Sequence, residues 1–133
     1  MFSLTVCDHI MIAHSFVGAE FGRAQQLHGA TFAVEAEFRA PRLDHLNLLI
    51  DIGLAKTELR RVLDAVDYAN LDEKPELKGQ NTTTEFMAFH IHTRLCAAMQ
   101  DGRMGAGGRA VTSLKVLLRE SPVAWAAYEG AVI

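Results

Sequence analysis

The sequence predicts an α+β domain in the order β-β-α-α-β-β, an antiparallel four-stranded sheet with two helices on one face. Three observations carry this reading. Apolar residues alternate along residues 2–16 and again along 27–40, the two-residue period of half-buried strands. Between residues 48 and 99 the apolar spacing changes to the 3.6-residue period of helices. Past a glycine-rich turn the alternation returns over 111–120, and a short aromatic-containing run, 124–131, closes the chain.

In the first strand, about Phe2 to Phe16, the residues Phe2, Leu4, Val6, Ile10 and Ile12 share one phase, and His14 falls in it. In the second, about Leu27 to Ala40, the apolar phase holds Phe32, Val34, Ala36 and Phe38. His28 and Ala30 share that phase, while Glu35, Glu37 and Arg39 take the other. Two histidines therefore point to the apolar side of one sheet. Pro41 ends the strand because it has no amide hydrogen for the ladder. The first helix is entered through Leu48–Ile52 and carries Leu59, Val62, Leu63 and Val66 on its inner stripe. Residues 67–81, rich in Asp, Asn, Pro and Gly, form a connection. Thr82 and Glu85 have the spacing of a capping box, so Thr82 is expected to cap the second helix, about Thr84 to Met99. Met87 or Ala88, Ile91, Leu95 and Met99 form its inner stripe, and His90 and His92, two apart, cannot share a face. Gly102, Gly105, Gly107 and Gly108 are expected to make the turn into the third strand.

A chain of 133 residues, half of them hydrophobic, suits one domain spanning 1–133. The net charge of −3 and the lack of a basic cluster longer than Arg60-Arg61 argue against nucleic acid or an anionic membrane as partner. With no signal-peptide core or apolar run of membrane-spanning length, the expectation is a cytoplasmic protein. Cys7 and Cys96 lack metal-type spacing and are expected as buried free thiols.

One set of motifs points further. Ala13-His14, followed by Ala24-x-x-x-His28-Gly29-Ala30-x-Phe32, resembles the A-H and C-x-x-x-H-G-H-x-[FY] motifs of the 6-pyruvoyl-tetrahydropterin synthase and 6-carboxy-tetrahydropterin synthase family. Later landmarks follow in the family's order. Leu49-Ile50-Asp51-Ile52 stands for V-x-D-F, and Val66-Asp67-Tyr68 opens the stretch that stands for L-D-H-x-x-L-N. Asn81-Thr82-Thr83-Thr84-Glu85 stands for the threonine-bearing helix start, and Glu120-Ser121 with Tyr128 for E-T-x-x-x-x-x-x-Y. The resemblance implies a T-fold whose sheets join into a multi-subunit barrel, as a trimer or hexamer, with active sites between subunits. It also implies a pterin held by Thr83 and Thr84 and anchored by Glu120 on its amino-pyrimidine edge. Independently, Leu114, Val116, Leu118 and Glu120 share one strand phase. That phase puts a carboxylate on the apolar face, where it needs a donor pair such as a 2-amino-4-oxo-pyrimidine supplies.

The departures from the family are specific. In the family three histidines hold a catalytic zinc and the cysteine begins the proton chemistry; here the cysteine is Ala24, the third ligand is Ala30 and the relay histidine is Tyr68. His14 and His28 alone fall short of three ligands and an open position, and His9, five residues from His14, lies on the opposite strand face. They read as satisfied core histidines, and no zinc or other cofactor is expected. The expected function is that of a homologue which keeps a pterin-type binding site without the usual synthase reaction. A second reading is a metal-independent pterin-converting enzyme using Asp67, Tyr68 and His28, and a third is a structural or regulatory oligomer.

Overall fold

The computed structural model describes residues 1–132. In chain order the elements are β1 (Phe2–His14), β2 (His28–Ala40), α1 (Ile52–Asp64), β3 (Ala69–Asn70), α2 (Thr84–Gln100), α3 (Gly105–Ala110), β4 (Ser113–Ser121) and β5 (Ala124–Ala131). The sheet order is β3-β1-β2-β4-β5. β1 and β2 pair antiparallel along their whole length, from Phe2 opposite Ala40 to His14 opposite His28. The alternation expected from the sequence is realised in burial. Val6, Ile10, Ile12, Phe32, Val34, Ala36, Phe38, Leu114, Val116 and Leu118 are all buried on one sheet face. α1 lies over β1, and α2 lies over β4 and β5. Those helices bring Leu59, Val62, Leu63, Met87, Ile91, Leu95 and Met99 to the same core.

Four expectations need correction. The sheet has a fifth strand, the two-residue β3, which pairs parallel with β1 through Ile12↔Ala69 and Ala13↔Asn70. Two residues have too little period to be read from sequence. The glycine-rich segment 105–110 is a helical turn, α3, where a loop was expected. Its cause is close packing: a Cβ at Gly107 would stand 3.0 Å from the Leu49 carbonyl oxygen and 3.1 Å from the Ile50 Cα. The cap of α2 is Thr83, not Thr82: the Thr83 hydroxyl accepts from the Phe86 amide at 3.2 Å. Thr82 turns inward instead, and Glu85 is exposed. Of the two free cysteines, Cys96 is buried and Cys7 is exposed, because Cys7 lies in the polar phase of β1.

α1 starts where Asp51 caps it, accepting from the Leu54 amide at 3.0 Å. Its far end is tied to β1 by charge. Arg60 donates to Asp8, Asp64 and Asp67 at 3.1, 2.8 and 2.8 Å, and the second oxygen of Asp67 accepts from the Met11 amide at 2.9 Å. Since Gly107 lets α3 lie against the backbone of residues 49–50, Gly107→Val should force that segment apart. A loss of roughly 1–3 kcal/mol, typical of overpacking, is expected as a lower urea midpoint at unchanged slope.

Candidate functional site

The strand pairing gathers the residues singled out from the sequence at one end of the sheet. β4 pairs antiparallel with β2 from Arg39↔Ser113 to Ala33↔Arg119, so its last residues, Glu120 and Ser121, come to the end that holds His14 and His28. The His14 and His28 rings face each other across β1 and β2 at 4.6 Å. Phe16 packs 4.5 Å from His14 and 5.5 Å from His28, and Phe21 adds a fourth ring 4.7 Å from Phe16. The turn that brings Phe21 there is 3-10, Ala19–Gln25, and the Phe16 amide closes it onto the Ala24 carbonyl at 3.1 Å.

His14 is 3% exposed and its Nδ1 lies 3.0 Å from the Thr82 hydroxyl, which is itself 2% exposed. Burial, then the neighbouring His28, pushes the His14 pKa below the usual value of 6.5, against weaker opposing effects of Thr82 and Asp72. His14 is therefore a neutral imidazole at pH 7. His28 is half-buried, and its Nδ1 lies 2.8 Å from the Gln26 carbonyl. A carbonyl only accepts, so Nδ1–H donates to it and the neutral ring carries its lone pair on Nε2. Two further clamps hold this end: Asn81 accepts from the Val17 amide at 2.8 Å and donates to the Val17 carbonyl at 3.0 Å, and Asp72 accepts from the Ser15 amide at 3.1 Å. The sequence reading placed Asn81 and Thr82 at the start of the second helix without joining them to Val17 and His14, and left Asp72 in a connecting segment. The partners lie 57 to 68 residues apart in sequence, so no local signal joins them.

Ala30 stands two residues past His28 on the same face, opposite Ile12. It presents a methyl where a third ligand belongs. Among the described residues no three His, Cys, Asp or Glu side chains come together in a way that could hold a metal ion. A zinc site of three protein ligands does not fit this donor set.

The remaining candidates lie on either side of the histidines. Asp67 has both carboxylate oxygens engaged, by Met11 and Arg60, at the outer edge of β1. Tyr68 beside it has φ of 55°, donates its amide to the Met11 carbonyl at 2.7 Å, and is 83% exposed. Both are tied to Met11 of β1, three residues before His14. Thr83 and Thr84, both partly buried, follow Thr82 directly at the start of α2. As the cap, Thr83 uses its oxygen as acceptor, and its hydroxyl proton has no acceptor among the described residues. Glu120 departs from its expected position on the apolar face. The β4–β5 register shifts between Arg119↔Trp125 and Ser121↔Ala124, so Glu120 is the extra residue of a bulge and is exposed. Its neighbour Arg119 is occupied elsewhere, donating to Glu35 at 3.1 Å with its guanidinium 4.5 Å from the Trp125 ring. Among the described residues the Glu120 carboxylate has no hydrogen-bond or ion-pair partner.

Several known proteins are similar to this chain in fold and sequence. The 6-pyruvoyl tetrahydropterin synthase of Caenorhabditis elegans superposes with a TM-score of 0.78 at 23% identity, covering 97% of this chain and 95% of that one. The Plasmodium vivax 6-pyruvoyl tetrahydropterin synthase superposes with a TM-score of 0.78 at 18% identity, covering 98% of both chains. At these identities the likeness establishes the fold, a T-fold. The 6-pyruvoyl tetrahydrobiopterin synthase of Dictyostelium discoideum is 29% identical over 83 residues, 61% of this chain and 62% of that protein. The 6-carboxy-5,6,7,8-tetrahydropterin synthase of Helicobacter pylori is 36% identical over 47 residues, 35% of this chain and 24% of that protein. The chain thus matches less than two thirds of the length of either relative. A family model described as 6-pyruvoyl tetrahydropterin synthase matches residues 3–131, nearly the whole chain, and the chain belongs to that family.

Proposed function

We propose that this chain binds a pterin or a related amino-pyrimidine compound at the strand end and does not run the usual synthase reaction. The observation that carries the reading is the contrast within one site. Glu120 offers an unpartnered carboxylate and Thr83 a free hydroxyl proton, while Ala24 and Ala30 offer methyls at the positions the family uses for the thiolate and the third metal ligand. A carboxylate facing two adjacent N–H donors makes a bidentate charged pair, which selects the 2-amino-4-oxo-pyrimidine edge. In the monomer Glu120 faces solvent, so the apolar surroundings that strengthen such a pair come from a neighbouring copy in a trimer or hexamer. No helix among the described residues is long and apolar enough to cross a membrane.

A second reading, metal-independent pterin conversion, is favoured by one observation, the free Nε2 lone pair of the half-buried His28. Asp67, held by Arg60, has less freedom to take a proton, and Tyr68 reaches outward from the sheet edge.

Calorimetric titration with several pterins, and with guanine as an amino-pyrimidine control, tests the first reading. Binding is expected, and Glu120→Gln should weaken it about ten- to a hundredfold, the effect of roughly 1.5–3 kcal/mol for a charged hydrogen-bonded pair. No binding by the wild type, or equal binding by the variant, refutes the site. Incubation with dihydroneopterin triphosphate is expected to yield no product; turnover that disappears in His28→Gln would establish the second reading instead. Elemental analysis should find far less than one zinc per chain, and Ala30→His should raise zinc affinity by restoring a ligand on the His28 face. Finally, the depressed pKa of His14 makes folding stability pH-dependent. The unfolded histidine titrates near 6.5 and the folded one lower, so stability is complete above about pH 6.5 and falls as pH drops toward the folded value. Chemical denaturation between pH 7.5 and about 5 should show that loss, smaller in His14→Asn. Part of it will persist in the variant, because burial and Arg94 also lower the His90 pKa.

A further inference from the structure

The last two strands of the sheet do not pair evenly. Along β4 and β5 the pairs run Leu118↔Ala126 and Arg119↔Trp125, and then step to Ser121↔Ala124. Glu120 is the residue that the step leaves over. In an unbroken register Glu120 would stand opposite Ala124, in phase with the buried Leu114, Val116 and Leu118, and its carboxylate would enter the core face. The connection would then be 121–123, one residue longer than Pro122-Val123. The direction in which Glu120 points is therefore decided by whatever holds the step in place.

Two contacts flank it. On the core side, Arg119 donates its Nε to Glu35 at 3.1 Å, and its guanidinium carbon lies 4.5 Å from the centroid of the Trp125 ring. Glu35 belongs to β2 and Trp125 to β5, so this one side chain spans three adjacent strands. Moving the step past Arg119 would break the Arg119↔Trp125 pair and the cation–π contact that goes with it. On the turn side, the Ser121 hydroxyl accepts from the Val123 amide at 3.2 Å. A serine hydroxyl that takes the amide two residues on holds a short turn closed, which opposes the longer connection. Glu120 itself acts in the same direction, since a carboxylate resists entry into an apolar face.

We propose that Arg119 and Ser121 are positioning residues: they pin the bulge, present the Glu120 carboxylate at the strand end and so set the preference of the site for a 2-amino-4-oxo-pyrimidine edge. The preference rests on the pterin reading; the pinning does not. In the full chain without ligand, backbone nuclear Overhauser contacts tell whether residue 121 or residue 120 pairs with Ala124. The stepped pairing is expected to persist in Glu120→Ala, which removes the carboxylate, and to give way in the Arg119→Ala, Ser121→Ala double variant. Persistence in the double variant overturns the proposal, and so does a change of pairing in Glu120→Ala alone.

Calorimetry with pterin, and with lumazine, which carries an oxo group in place of the 2-amino group, then reads the preference. The wild type is expected to favour pterin. Each single alanine variant should lower that preference about tenfold, the size of one charged hydrogen bond, with thermal unfolding unchanged. Arg119→Lys and Ser121→Thr keep the cation and the hydroxyl and should restore most of it. Equal weakening toward both compounds, with the preference kept, would make the two residues merely structural and overturn the positioning role. A wild type that binds neither compound refutes the pterin reading, and the pairing in the unliganded variants still decides the pinning.

Discussion

The antiparallel register of β1 on β2 is the constraint on which the rest of the structure depends. It ends with His14 opposite His28 and sets the core and the strand-end site at once. A slip of one residue would carry Ile10, Ile12, Phe32 and Val34 to the open face and the two histidines with them. β4 inherits its position from β2, which places Glu120 at the histidine end. Thr82 and Asn81 then bind the start of α2 to the same end, through His14 and Val17. The site is therefore a consequence of how the core is built and cannot be moved independently of it.

At that end the two histidines are held by contacts with this chain's own side chains and backbone. In a zinc site the ligands are drawn together by the cation, and their outer nitrogens are held by hydrogen-bond acceptors. Here the two rings pack against each other and against Phe16, with Thr82 and the Gln26 carbonyl holding one nitrogen of each. The hydrogen bonds that orient ligands are present, and the third ligand is a methyl. Aromatic contact among His14, His28 and Phe16 adds to the cohesion of the strand end.

Charge is used unevenly over the molecule. On the open sheet face Glu35 meets Arg119, and Arg39 meets both Glu37 and Glu129. These pairs are partly exposed, and pairs of that kind contribute little to stability. Arg60 gathers Asp8, Asp64 and Asp67 and so joins α1 to β1, which makes Asp67 first a structural residue. Glu120, at the bulge beside the histidine end, has no hydrogen-bond or ion-pair partner among the described residues. Unpaired charge at the ends of well-paired elements is where binding energy remains available, because no internal bond must be broken to form an external one.

Period and motif determined the two long strands, the inner stripes of both helices, the return to strand after the glycines, and the family, since these are properties of neighbouring residues and of their order along the chain. His14, His28 and Ala30 on one strand face followed from alternation alone, and the structure keeps them there. Tertiary structure decided what alternation and spacing do not contain. Thr82 and Thr83 are adjacent and chemically alike; which one caps α2 was settled by His14, 68 residues away, taking the hydroxyl of the other. Glu120 left the apolar phase because β5 pairs with β4 through a bulge, and a bulge is a property of two strands together. Gly107 of α3 is a glycine at a place where the backbone of residues 49–50 lies too close for a Cβ. In each case the deciding contact joins residues far apart in sequence, so its energy has no local signature to read.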